Sequence, residues 1–322
     1  MARKFPDWVP EGVIPAVLLP FRDDFSIDEA SYRKHLADIA GVGGVGAVTT
    51  NAHSTEVHAL SGDEQRRVLD LTLEAVGDRL PVVNGIYADG SHLAAELARA
   101  ADQGGASALL VFPPQSLSMG GQLRPEMAIA HFKRVAEASD LPIILFEYPL
   151  SGPLGYPFET LLRIFEEVPQ VKAIKDWCGE PMVHERHIRA FQALPRPVNV
   201  LTTHSAWLLS SLVLGCAGLL SGAGSVIADL QVALFEAVKR GDLGAAEAAN
   251  ERIYPMVQAF YAPPFLDMHN RMKEALVLLG RLPRAVVRPP LMKLSEAEIA
   301  RLRRAIAAAR LEGGEALRVA AE

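Results

Sequence analysis

The amino-acid sequence predicts an α/β fold, a (β/α)8 TIM barrel with a C-terminal helical extension. Short apolar segments alternate eight times with amphipathic, helix-like segments, and eight such units in about 230 residues match the size of this barrel. The strand-like segments are mostly unbroken in their apolar character, as in a parallel sheet that is buried on both faces. No Gly-x-Gly-x-x-Gly motif follows the first strand, which disfavours the competing doubly wound open sheet.

The predicted strands are rich in Val, Ile and Leu, and proline ends two of them, at Pro20 and at Pro113-Pro114. They span residues 13–19, 45–50, 80–85, 108–112, 141–146, 171–175, 198–202 and 218–220.

Helices are predicted between the strands because apolar residues there recur at helical spacing. Ser26 is the expected N-cap of the first helix, and Ser61 with Glu64 has the capping-box spacing at the start of the second. The predicted helices cover residues 27–40, a second helix from 61, and then 91–102, 124–138, 158–167, 183–194, 205–214 and 227–240.

The barrel is expected to occupy residues 1–240 and a three-helix extension packed on it residues 241–322. The extension is predicted to have helices at 245–260, 265–279 and 295–311, and Ser295 with Glu298 again has capping-box spacing. The residues from Gly313 onward are predicted to form a loosely attached tail.

Composition excludes several classes of protein. The chain has 322 residues and a formal net charge of −6, so no nucleic-acid partner is expected. Residues 1–12 lack the apolar core of a signal peptide, and no apolar run is long enough to cross a membrane. The two cysteines, Cys178 and Cys216, form no metal-ligand spacing. A cytoplasmic protein without a membrane partner is therefore expected.

Lys175 stands at the carboxyl end of the sixth predicted strand, directly after apolar residues. Taken alone, this stretch favours a surface lysine paired with Asp176. The active site of such a barrel, however, lies at the carboxyl ends of its strands, and a buried lysine has a lowered pKa and supplies the neutral amine that attacks a carbonyl. The barrel therefore favours Lys175 as a nucleophile.

Hydroxyl, aromatic and glycine residues follow the other strands. A Schiff-base aldolase needs this composition, because its amine attacks a 2-oxo group while hydroxyls and backbone N–H groups hold the carboxylate. The candidate catalytic residues are Lys175, Tyr148 and His53, and the candidate substrate-binding residues are Ser54, Thr55, Phe146, His204 and Gly222.

These segments resemble the dihydrodipicolinate synthase / N-acetylneuraminate lyase family of class I lyases. Glu56 and the following Leu60-Ser61 match that family's Gly-Thr-Thr-Gly-Glu loop and its Leu-Ser. Other matching segments lie in the family's order, at residues 81–85, 111–114, 141–149, 171–175, 215–221 and 287–291. The resemblance implies a Schiff base between Lys175 and a pyruvate-like 2-oxo acid, without a metal or other cofactor, and a homo-oligomer, a dimer or a tetramer.

The chain also departs from the family pattern. His53 and Ser54 stand at the family's two carboxylate-binding threonines, and Phe146 stands at its proton-relay tyrosine. Tyr148 lies two residues further, on the same side of a strand, and is predicted to replace the missing phenol. The alternative is that Tyr148, next to Pro149, has already turned into the loop.

Two features of the lysine-biosynthetic synthases are absent. Residues 114–116 stand in place of their aromatic pair, and residues 150–152 in place of the arginine that binds a second carboxylate. A class I lyase that is not a true dihydrodipicolinate synthase is therefore predicted. A sugar-acid dehydratase that uses the same Schiff base and a non-catalytic barrel that binds a 2-oxo acid are the alternatives.

Three further polar groups have less reactive interpretations. His53, His58 and His204 with Glu56 would resemble a metal cluster, but five residues separate His53 from His58, so a metal is disfavoured and Glu56 is expected to be structural. Glu147 is expected to point away from the site. Residues 267–273 are expected to form a solvated face; the alternative is that His269, Asn270 or Lys273 turns toward a subunit contact or the barrel mouth.

Overall fold

Eight parallel strands form the barrel in a computed structural model that describes residues 4–312. The predicted tail from Gly313 lies outside the described residues. Neighbouring strands pair in the order β1-β8-β7-β6-β5-β4-β3-β2, and bridges from Val13 to Val45 and from Ala16 to Thr49 close the ring. The strands are β1 Gly12–Pro15, β2 Val48–Thr50, β3 Val82–Ile86, β4 Ala108–Val111, β5 Ile143–Glu147, β6 Val171–Asp176, β7 Asn199–Thr202 and β8 Gly218–Ser221. The predicted barrel is confirmed.

The first strand is shorter than predicted. Beyond Pro15 the backbone N–H of Ala16 donates to Ser221 and that of Val17 donates to Thr49. After Pro15 the chain therefore no longer pairs with β8 alone but bonds to β8 at Ala16 and to β2 at Val17. These residues stay buried.

Eight helices follow the strands, at α1 Glu29–Ala40, α2 Gly62–Val76, α3 Ser91–Gly104, α4 Pro125–Ala136, α5 Phe158–Glu167, α6 Pro181–Phe191, α7 Leu208–Val213 and α8 Gly224–Lys239. The capping box of Ser61 and Glu64 is confirmed. The predicted N-cap Ser26 is wrong: Asp28 caps α1 by accepting from the Ser31 N–H, while Ser26 bonds to Asp24.

The residues after the barrel form α9 Leu243–Phe260, α10 Met268–Leu278 and α11 Glu296–Ala308, and α9 packs against α8 and α11. Only half of the second predicted capping box is present. Ser295 accepts from the Glu298 N–H, but the Glu298 carboxylate accepts instead from the guanidinium of Arg271.

Helix α10 is anchored to the barrel by buried polar groups. Lys273 forms a buried ion pair with Glu56 and also donates to the carbonyl of Val286 at 2.9 Å. Asn270 and Arg271 are buried as well. The predicted solvated face at residues 267–273 is therefore wrong, because these polar groups find partners inside the protein.

The barrel interior has its own apolar cluster, which includes Ile144, Ala173 and Leu201. Side chains alternate along a strand, so Phe146 and Lys175, two residues beyond Ile144 and Ala173, also face the interior. Asp176 lies on the opposite face of β6, toward the helices. No helix in residues 4–312 is long and apolar enough to span a membrane.

Candidate active site

Lys175 lies in the mouth of the barrel, at the carboxyl end of β6. Its side chain is 6% exposed, and its Nζ atom lies 4.0 Å from the centroid of the Phe146 ring. Burial lowers the pKa of the ammonium to about 7, since no charged partner compensates for the lost hydration. The interpretation of Lys175 as a surface residue paired with Asp176 is therefore wrong, and the amine is largely available as a nucleophile near neutral pH.

A small cavity surrounds this amine. Its lining combines residues from the barrel strands with residues from the C-terminal helices. The lining side chains are Ala16, Ala52, His53, Ser54, Phe146, Lys175, Trp177, Thr203, Gly222, Tyr261, Phe265, Met268 and His269.

The loop after β2 is held in an unusual backbone conformation that brings two side chains to the cavity. Asn51 and Glu56 have φ values of 50° and 53°, in the left-handed region that few non-glycine residues adopt. The Asn51 side chain secures the turn by donating to Asn84 and to the carbonyl of Gln65, both at 2.8 Å. Gly85 is needed beneath it, because a Cβ there would lie 1.9 Å from the Asn51 carbonyl oxygen.

The two hydroxyl groups of this loop differ. Ser54 lines the cavity, and its buried Oγ has no hydrogen-bond partner within residues 4–312, which leaves the hydroxyl available to a ligand. Thr55 is buried behind the cavity wall, and its Oγ1 donates to the carbonyl of Ala52 at 2.8 Å. The geometry therefore brings Ser54 to Lys175 but not Thr55.

His53 and Tyr148 form a hydrogen-bonded pair beside Lys175. The His53 Nε2 lies 2.5 Å from the Tyr148 Oη. Burial, and secondarily the positive charge of Lys175, lowers the pKa of His53 to about 3, so the imidazole is neutral. Burial also raises the pKa of the Tyr148 phenol. Tyr148 has not turned away into the loop, since its ring contacts those of Phe146 and Trp177.

Gly222 and His204 occupy different environments. Gly222 lines the cavity, where a Cβ would approach the His269 Nε2 to 3.0 Å. His204 does not line it, and instead stacks on Trp207 and lies near Cys178. The structure does not group His53, His58, His204 and Glu56 as the ligands of one metal ion.

Glu147 follows Phe146 and faces the helices, as expected. The side chain is buried, and its Oε1 accepts from the Tyr156 N–H at 3.0 Å. Burial, together with the nearby Asp176 carboxylate, raises the pKa of Glu147 well above its usual value.

Sequence reasoning considered His269 at the barrel mouth only as the less favoured alternative, and it did not identify Tyr261. Tyr261, at the end of α9, accepts from Ser205 Oγ at 3.2 Å, and His269 of α10 lies beside Gly222. Burial, and then the neighbouring His53 and Lys175, lowers the pKa of His269 well below its usual value. The unusual polarity of residues 267–273 was the available signal.

A parallel barrel with a buried lysine at the end of its sixth strand defines the class of Schiff-base lyases. The chain belongs to the Dihydrodipicolinate synthetase family, whose sequence profile matches residues 9–309. Two relatives named 4-hydroxy-tetrahydrodipicolinate synthase illustrate the similarity. The protein of Methanopyrus kandleri is 31% identical over 290 residues, covering 89% of this chain and 92% of the relative. The protein of Kineococcus radiotolerans is 33% identical over 300 residues, covering 90% of each.

Solved structures of this family have the same fold. A putative dihydrodipicolinate synthetase from Pseudomonas aeruginosa superimposes with a TM-score of 0.84 at 25% identity, covering 94% of this chain and 100% of that chain. YagE from E. coli K12, solved in complex with pyruvate, gives a TM-score of 0.84 at 24% identity, covering 94% and 99%. The chain is thus a class I lyase of this family.

Proposed function

We propose that this protein acts on a pyruvate-like 2-oxo acid through a Schiff base on Lys175, and makes or breaks a carbon–carbon bond next to it. The neutral amine attacks the 2-oxo carbon, water leaves, and the resulting iminium accepts the electron pair of the bond that is cleaved. The observation that carries the proposal is the buried Lys175 amine, whose pKa burial lowers to about 7.

Ser54 would hold the substrate carboxylate. Its free hydroxyl lines the same cavity as Lys175. The backbone N–H groups of His53 and Ser54 open a short 3-10 helix, where the first N–H groups have no partner within the helix. A hydroxyl and N–H groups together suit an anionic oxygen.

His53 and Tyr148 would move the proton. A neutral His53 that accepts a hydrogen bond from the Tyr148 phenol orients this hydroxyl, which can give its proton to a substrate oxygen in one step and take a proton back from that oxygen in a later step. This pair would replace the relay tyrosine whose position Phe146 occupies.

The second half of the substrate is expected to lack a second carboxylate. No arginine lines the described cavity, and its outer wall is aromatic, with Trp177 stacked on Phe265 at a centroid distance of 5.4 Å. This argues against a synthase whose second substrate carries an additional carboxylate. The synthase reaction remains the second candidate, because the matching relatives carry that name.

The decisive experiment is incubation with pyruvate and borohydride, followed by mass spectrometry of peptides. A reduced pyruvate adduct is expected on Lys175 in the wild type and in Lys172→Ala, a matched control because Lys172 lies on the same strand but is exposed. Lys175→Ala should show no adduct. An unmodified Lys175 in the wild type would contradict the proposal.

Turnover assays with different substrates distinguish the candidate reactions. Release of pyruvate from 4-hydroxy-2-oxo acids supports the lyase, and loss of water from sugar acids supports the dehydratase. Adduct formation without turnover on any of these substrates would favour a binding protein.

We further propose that the chain is a cytoplasmic homo-oligomer. Large apolar side chains remain exposed in the loop after β4, where Met119 and Leu123 are 87% and 85% exposed, and such side chains favour burial between subunits. One solved relative is described as a monomeric dihydrodipicolinate synthase variant, so light scattering in solution is the required test. A single-chain mass would refute the oligomer.

A further inference from the structure

A second group of polar side chains lies on the opposite face of β6 from Lys175, among the helices. It consists of Asp176, Cys178, His184 and His204. Asp176 and His184 are 0% exposed, and Cys178 and His204 are 5% exposed. One ligand atom of each residue lies within 4.8 Å of those of the other three. Four potential metal ligands thus converge at a place that water does not reach.

The spacing between two of these ligands is that of a tetrahedral zinc site. Zn–S and Zn–N bonds of about 2.3 and 2.05 Å at a tetrahedral angle separate the sulfur from the nitrogen by about 3.6 Å. The Sγ of Cys178 lies 3.6 Å from the Nε2 of His204. The two atoms are therefore already at the separation that an ion between them requires.

Among the described residues, the buried Nε2 of His184 has no hydrogen-bond partner. The Nδ1 of His184 lies 2.8 Å from the Asp176 Oδ2, and the Nδ1 of His187 lies 2.9 Å from the same oxygen. Since a carboxylate oxygen accepts, each Nδ1 is the donor, and the Nε2 of His184 keeps a free lone pair. Leaving such an atom unpaired is costly.

The arrangement of His184 and Asp176 is also the usual support of a metal ligand. Histidines that bind metals commonly donate their second ring N–H to a carboxylate, which fixes the tautomer and the ring orientation. The rings of His184 and His204 meet edge to face, with centroids 5.1 Å apart. Both imidazoles are therefore held in place before any ion binds.

Charge balance favours a divalent cation here. The Asp176 carboxylate and a Cys178 thiolate together supply two negative charges, which neutralise the ion in a region of low dielectric. Coordination to the cation deprotonates the Cys178 thiol.

We propose that Cys178, His184 and His204 bind Zn²⁺ through the thiolate and the two Nε2 atoms, and that Asp176 holds the His184 ring in place. Sulfur and nitrogen ligands suit this ion. Asp176, Cys178 and His204 directly follow three residues of the cavity wall in sequence, namely Lys175, Trp177 and Thr203. The ion joins the ends of β6 and β7 to α6 and so supports one side of the cavity from behind.

The test measures zinc binding by the full-length protein and does not depend on the proposed reaction. The reduced protein is treated with a chelator, exposed to Zn²⁺ in competition with a chromophoric chelator, and analysed for bound metal. The wild type is expected to hold about one zinc per chain. Cys178→Ser should weaken binding by at least ~100-fold, which exceeds the effect of most supporting partners. Cys216→Ser is the matched control, because it changes the chain's other buried cysteine.

Cobalt substitution keeps the test decisive if Cys178→Ser fails to fold. The chain has two cysteines, so Cys178 is the sole thiol in Cys216→Ser. A thiolate-to-cobalt absorption band in Cys216→Ser with bound Co²⁺ therefore identifies Cys178 as a ligand, and added Zn²⁺ should raise the Tm of this variant. Failure of the wild type to bind zinc, equal affinity in folded Cys178→Ser, or cobalt binding without a thiolate band would each overturn the proposal.

Discussion

The Nε2 of His53 and the Oη of Tyr148 lie 2.5 Å apart although 95 positions separate them in sequence. His53 comes from the loop after β2 and Tyr148 from the end of β5, and the two meet on the side of the cavity that contains Lys175. The aromatic rings of Phe112 and Phe146 pack against His53, so the imidazole is held in a dry, apolar setting. Such a setting keeps it neutral and able to accept a hydrogen bond from the phenol.

Replacing Tyr148 by Phe should lower kcat by about 10²–10⁴-fold, the usual contribution of a proton-transfer group. The borohydride adduct on Lys175 should still form, because the amine is retained. Tyr156→Phe is the matched control, since Tyr156 is also buried near β5 but its hydroxyl bonds to no group among the described residues, whereas that of Tyr148 bonds to His53. Unchanged turnover in Tyr148→Phe would remove the proposed relay.

Schiff-base formation should depend on pH through Lys175 itself. The ammonium form cannot attack a carbonyl, and burial lowers the pKa of this group to about 7. The initial rate of adduct formation with pyruvate is therefore expected to rise up to about pH 7 and then level off. A rate that keeps rising to pH 10 would show an ordinary, solvated lysine.

Lys175 should also reduce the stability of the folded protein. Its folded pKa of about 7 lies below the reference value of 10.5, so between these values the unfolded state binds more protons and stability rises with pH. The penalty is fully present below pH 7 and is relieved toward pH 10.5. Lys175→Met should therefore raise the free energy of unfolding at pH 7 by up to about 4 kcal/mol. The gain should shrink in denaturant titrations at pH 10, and a destabilised variant would contradict this account.

The ion pair between Lys273 and Glu56 is expected to join the C-terminal helices to the barrel. Both side chains are 1% exposed, so Lys273→Met leaves a buried carboxylate uncompensated and should cost about 3–5 kcal/mol. The double variant Lys273→Met with Glu56→Gln should recover part of this loss, because no charge then remains unpaired. Additive losses in urea titrations of the two single variants and the double variant would indicate that the two residues do not interact.

The sequence predicted the barrel well because each strand is a short apolar segment bounded by turn residues, and this pattern depends only on local chain composition. The local sequence around Lys175 favoured a surface lysine, and only its place at the carboxyl end of a barrel strand, with the family resemblance, indicated the buried site. The catalytic role of Lys175, in contrast, is supported by its burial and still requires the adduct experiment.

Residues that meet only through the tertiary fold were harder to predict. The ion pair of Lys273 with Glu56 holds α10 over the barrel mouth, where His269 and Tyr261 line the cavity. No local sequence pattern encodes that long-range contact. The position of His204 just after β7 predicted that its side chain would line the cavity, but the chain turns at that residue and directs the side chain elsewhere. Thr203 lines the cavity, while His204 lies with Cys178.

Ser54 should contribute chiefly to binding of the 2-oxo acid. Its Oγ has no partner among the described residues, so Ser54→Ala removes a hydroxyl without leaving another buried group unpaired. The loss of one hydrogen bond to a charged carboxylate, about 1.5–3 kcal/mol, should raise KM for pyruvate in adduct formation by about 10–100-fold. Thr55→Ser is the control, because it retains the hydroxyl that bonds to Ala52 and should leave KM unchanged. If Thr55→Ser alters KM as much as Ser54→Ala, the shape of the loop and not the Ser54 hydroxyl determines carboxylate binding.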